Sequence, residues 1–140
     1  MLKSILTYNS EFLKNLGLAV IRIGLGIIFI RHGWPKLFKG VEEWRWLGEQ
    51  MSYLGITFWP VFWGLVAACT EFFGGIALVV GLGTRPFALL LAFVMLIATL
   101  MHIGKGDTWG YISFPLSLFV VFVGLMIAGG GMLAVDNWLK

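Results

Sequence analysis

Arg22 and Glu71 are the residues that this sequence, otherwise apolar around them, has least reason to carry. Each falls within a run of about twenty mostly apolar side chains, where an isolated charge costs roughly 2.5–3.5 kcal/mol. A guanidinium and a carboxylate lower that cost most simply by pairing. Such a pair can fix helix register and nothing more, or it can handle a proton or a ligand's polar headgroup. His32 and His102 form a second constellation, each toward the end of its apolar run, near Trp34, Lys36 and Lys105. Two imidazoles on different helices can ligate haem axially, but haem ligands lie deeper and nothing else here signals haem. Hydrogen bonding to a quinone or similar redox headgroup fits better, and two interfacial histidines without a cofactor are the plainest outcome. The expected site is therefore a polar pocket of Arg22, His32, Lys36, Glu71 and His102, with no metal and no assigned catalytic step. Cys69 is the single cysteine. It excludes an intramolecular disulfide, a CxxC pair and a Cys-only metal site, and it reads as packing.

The elements that must position these residues follow from composition. In 140 residues, 59% are hydrophobic and 12% charged, against about 45–50% and about 25% in ordinary soluble domains. Seventeen charges cannot cover the surface of a small soluble domain. Nineteen glycines among so many apolar residues indicate close helix packing in lipid. The net charge of +3 is spread along the chain, leaving no basic stripe for nucleic acid. The expected fold is an all-α integral membrane protein, an antiparallel four-helix bundle in one domain, with spans at about 13–34, 60–82, 86–103 and 111–133. No cleavable signal peptide is expected, because the N-terminal segment is polar.

Between the first two spans, at about 40–57, Val41, Trp44, Leu47, Met51 and Leu54 recur at helical spacing opposite Glu42, Glu43, Arg45, Glu49 and Gln50. That pattern predicts an amphipathic interfacial helix, the alternative being a folded loop over the bundle mouth. Lys14 and Arg85 favour both termini in the cytoplasm. Six of seven tryptophans then crowd the other end. On the second span Gly64, Ala67, Ala68, Glu71, Gly74 and Gly75 share a face, and on the first Leu18, Gly26, Phe29 and Gly33 line up with Arg22. Small residues Gly124 and Ala128 on the last span suit either packing inside the bundle or a homo-oligomer face.

Two blocks carry a family resemblance. The run from Arg22 through His32 and Gly33 to Lys36, and the run from Glu71 through Gly74, Gly75 and Gly81 to Thr84 and Arg85, resemble the conserved blocks of the DoxX family. With the spans that follow, the likeness covers almost the whole chain. It implies a four-helix protein of the prokaryotic plasma (inner) membrane. Its namesake relatives are small subunits of an archaeal terminal quinol oxidase and of a thiosulfate:quinone oxidoreductase. By that resemblance the protein is a redox-associated subunit, binding a quinone or similar lipid-soluble headgroup and serving a protein partner. The alternative is a noncatalytic membrane anchor or scaffold. A transporter fits less well, since four spans leave little room for a pathway. Related folds that exchange dithiols with quinone use paired cysteines, which this chain lacks.

Overall fold

The computed structural model describes Lys3 and residues 10–140; the remainder of the polar N-terminal segment lies outside the described residues. Helix α1 runs Glu11–Phe38, α2 Val41–Glu49, α3 Pro60–Val80, α4 Thr84–Gly104, α5 Trp109–Ala128 and α6 Val135–Trp138, with a 3₁₀ turn at Gln50–Leu54 after α2. Helices α1, α3, α4 and α5 are long and apolar enough to cross a membrane, so the chain is an all-α, multi-pass membrane bundle. Ser10 caps α1 by accepting from the Leu13 amide, and Pro60 opens α3 where its missing N–H is not needed. The fourth span ends at Ala128, short of the expected Leu133, because Gly129 and Gly131 take positive φ and turn the chain back across the bundle end.

Glycines set how closely the helices cross. A Cβ on Gly26 would collide with the backbone of Gly75 and Val79, one on Gly75 with that of Gly26 and Ile30, and one on Gly33 with that of Glu71 and Phe72. Helices α1 and α3 therefore meet backbone to backbone, in a single register. The helix between the first two spans crosses α3 the same way, with Gly48 against Pro60 and Gly64 against the Trp44 carbonyl. It forms a cap on the bundle, which the Trp44 indole ties to the end of α1 by donating to the Lys36 carbonyl at 3.1 Å. The core below it holds Phe29, Leu78, Leu91, Met95, Phe122 and Leu125.

That register overturns the expected Arg22–Glu71 pair. Gly33 lies level with Glu71, whereas Arg22 lies level with Gly81, where a Cβ would meet its guanidinium. Arg22 and Gly33 are eleven residues apart on α1, a rise of about 16 Å. Side-chain direction widens the gap, since helical side chains lean toward their own N-terminus. Arg22 leans toward the terminal end of the bundle and Glu71 toward the capped end.

Arg22, 1% exposed, instead completes a helix terminus. Its guanidinium donates to the carbonyls of Leu78 at 2.6 Å and Val79 at 2.8 Å, and to that of Leu133 at 3.1 Å. The first two belong to the last turn of α3, where carbonyls have no intrahelical donor and a cation is favoured. Asp136 does the converse for α4. Its carboxylate accepts from the Gly83 and Thr84 amides at 2.6 and 2.8 Å, and its own amide donates to the Gly81 carbonyl at 2.9 Å. The segment after α5 is thereby clasped to the turn between α3 and α4. Partial burial pushes the Asp136 carboxyl up. The amide hydrogen bonds and the Arg22 charge outweigh it and hold the group below its ordinary value.

Gly124 and Ala128 do not pack inside the bundle. Both are exposed, and a Cβ on Gly124 would meet nothing.

Two outcomes test this architecture. Gly75→Leu and Gly64→Leu should abolish the folded protein in detergent thermal melts, while Gly24→Ala and Gly124→Leu leave its melting temperature within a few degrees. Asp136→Asn should lower stability at neutral pH by roughly 1.5–3 kcal/mol, as for hydrogen bonds to a charge. Because the folded carboxyl is held low, this contribution is complete above the ordinary value of about 3.9 and lost as pH falls through the depressed one. Melts of both proteins across pH should converge on the acid side; a constant difference would refute the assignment.

Candidate functional site

Glu71, 2% exposed, finds its partner on α1 one turn beyond Gly33. The Lys36 ammonium donates to both carboxylate oxygens, each at 2.8 Å. The same directional rule that separates Arg22 from Glu71 brings these two together. Lys36 leans back toward the membrane interior, and Glu71 leans up toward the cap. The Lys36 side chain keeps 27% of its exposure and the Glu71 side chain 3%. The deep charge is thus paired with one that reaches the wet end.

This pair borders a cavity of about 440 Å³ inside the capped half of the bundle, within the range of small-molecule pockets. Four of the five expected residues, His32, Lys36, Glu71 and His102, line it. Arg22 does not, being occupied at the terminal end. The rest of the lining is mostly apolar and comes from every span and from the cap. Ile28, Leu90, Phe93 and Phe114 belong both to the lining and to the exposed perimeter. The cavity therefore opens sideways, toward where lipid lies. On its terminal side the edge-on contact of Phe29 with Phe122, ring centres 5.0 Å apart, brings α1 against α5.

Two polar groups of this site are invisible to helical spacing. The Trp63 indole N–H is buried beside the cavity with no acceptor among the described residues. Asp107, in the turn after α4, lies 2.6 Å from Nδ1 of His102. Nothing in the sequence singles out Trp63 from the other tryptophans. The Asp107 contact could have been suspected, since a short turn brings residue i+5 back over the end of a helix. Lys105, in the same turn, sits 5.8 Å over the ring of Trp46, another lining residue. At the mouth the cap and the α4–α5 turn thus meet through a cation–π contact.

The DoxX family model matches residues 17–103. That stretch contains Arg22, His32, Lys36, Glu71 and His102, and stops short of Asp107. The chain is 30% identical over 131 residues to a protein of Bacillus subtilis (strain 168) named "Putative oxidoreductase CatD", covering 94% of this chain and 91% of the relative. It is 31% identical over 133 residues to "Inner membrane protein YqjF" of Escherichia coli (strain K12), covering 91% and 95%. No solved structure matches it.

A double-mutant cycle separates the observed pairing from the one expected by depth. Lys36→Met and Glu71→Gln should couple by more than about 1 kcal/mol in unfolding stability, as side chains in contact do. Arg22→Met and Glu71→Gln, which share no partner, should add within about 0.5 kcal/mol. Strong coupling in the second cycle would contradict the register of α1 on α3.

Proposed function

The chain belongs to the DoxX family, and from that premise we propose that its cavity binds the headgroup of a lipid-soluble redox carrier of the quinone class. The protein then serves as a redox-associated subunit in a bacterial inner membrane, with both termini cytoplasmic. One observation carries the reading. A mostly apolar cavity, open toward lipid, holds a buried carboxylate–ammonium pair and an indole N–H with no acceptor among the described residues.

The chemistry of that lining selects its occupant. A flat, neutral headgroup on an isoprenoid tail can enter from the side, leave its tail among the perimeter side chains, and present oxygens to Lys36, Trp63, His32 and His102. A charged metabolite would arrive from water and meet a mostly apolar wall. An anionic headgroup would compete with Glu71 for Lys36 and leave that carboxylate bare in an apolar interior, a loss of several kcal/mol. The names of the two relatives, "Putative oxidoreductase CatD" and "Inner membrane protein YqjF", point the same way. Such a subunit presents or stores the carrier for a partner that supplies or takes the electrons.

Titration of the full-length protein in lipid nanodiscs with decylubiquinone tests this, because Trp46 and Trp63 border the cavity and report occupancy by fluorescence quenching. Saturable quenching is expected. Glu71→Gln and Lys36→Met should each weaken it by roughly tenfold or more, as for the loss of a charge-assisted contact, and Gly124→Leu should not change it. Absence of saturation, or equal affinity in all variants, would remove the carrier and leave the anchoring role.

A further inference from the structure

We propose that His102, held by Asp107, is a proton-switched contact by which the cavity distinguishes the oxidised from the reduced form of its ligand; this rests on the binding function proposed above.

The geometry fixes the imidazole from more than one direction. Nδ1 of His102 lies 2.6 Å from the Asp107 carboxylate, and the Asp107 amide donates to the His102 carbonyl at 3.0 Å. Gly106, at φ +71°, makes the turn that allows both. The Tyr111 ring of α5 stacks on the imidazole, centres 6.1 Å apart and planes 24° from parallel. A carboxylate accepts, so Nδ1 donates, and Nε2 is the nitrogen left for a ligand in the cavity that His102 lines.

The consequence is a change of hydrogen-bonding sense. In the neutral ring Nε2 carries a lone pair and accepts, which suits the hydroxyl of a quinol. In the protonated ring Nε2 carries a hydrogen and donates, which suits the carbonyl of a quinone. Asp107 supports the positive ring, and its side chain, 35% exposed, meets water at the capped end and gives the ring access to bulk protons. Other charged or titratable groups at this end are Lys105 in the same turn, Tyr111 on α5, Tyr53 in the 3₁₀ turn, His32 and Lys36 on α1, and Glu71 on α3; on the cap side Glu43 pairs with Lys39 and Glu42 with Arg45, and Glu49 is exposed. Lys36 and Glu71 offer a donor and an acceptor side by side, so that pair does not by itself choose between the two forms. His102 does.

Anaerobic titrations of the full-length protein in nanodiscs, with decylubiquinone and with decylubiquinol between about pH 5 and pH 8, test the switch. As pH falls, quinone binding should tighten and quinol binding should weaken, the ratio of the two dissociation constants changing by roughly tenfold. In His102→Gln both affinities should become flat with pH. If both forms bind with the same pH trend, or if opposite trends survive in His102→Gln, the switch is refuted while the carrier-binding function stands. If neither form binds the wild-type protein at any pH, the binding function itself is refuted and the switch with it. Quinone binding by His102→Gln at high pH shows that this variant is folded.

Discussion

The backbone crossing of α1 on α3, at Gly26, Gly33 and Gly75, is the constraint from which the rest of the molecule follows. With no side chain at those positions the helices approach until main chain touches main chain, and contact of that kind tolerates no sliding. In lipid, association rests on such packing, because apolar side chains gain little from leaving one oily environment for another. Once Gly33 is level with Glu71, the fate of each buried charge is decided. Lys36 can reach the carboxylate, and Arg22 reaches the end of α3 and the Leu133 carbonyl instead.

Two kinds of polar work are thereby assigned to opposite ends of the bundle. At the terminal end, the bare carbonyls of α3 take a cation and the bare amides of α4 take an anion, so Arg22 and Asp136 satisfy groups that helix geometry leaves unpaired. Arg22 is thus committed to structure in spite of its depth. The clasp also fastens the segment after α5, which two positive-φ glycines direct back over the bundle. At the capped end the crossing of α2 on α3 through Gly48 and Gly64 places Trp46, Leu47, Gln50 and Met51 along the top of the cavity. A mostly apolar space is covered there without a long mobile loop.

Much of this could be read from residue types. Apolar run length gives the number of spans, and spacing from Val41 to Leu54 gives an amphipathic helix. The small-residue faces of the first two spans identify the surfaces that meet. The partners of the charges could not be read in the same way. Depth judged from the middle of an apolar run ignores that α1 extends to Phe38, and it carries no information on which glycine faces which. An error of about four turns, the fourteen residues between them on α1, exchanges Lys36 for Arg22. Backbone acceptors are equally hidden, since the carbonyls of Leu78, Val79 and Leu133 have no signature in residue type. Gly124 and Ala128 allow two readings, and their outward orientation on α5 removes packing inside the bundle, because small residues permit close approach but do not require it.

The different surroundings of Glu71 and Arg22 bear on which of them can take part in binding. Both terminal nitrogens of Arg22 are held by carbonyls, two of them in the last turn of α3, and it does not line the cavity. Glu71 is held by one side chain, and Lys36 is flexible, partly exposed and borders the same space. An ammonium has three donors, and two contacts to the carboxylate leave one for a further acceptor. A neutral oxygen in the cavity can therefore be added to the pair without separating it. Displacing Lys36 altogether would leave a carboxylate uncompensated among apolar side chains, which is strongly unfavourable. The site thus favours ligands that join the ion pair over ligands that replace it.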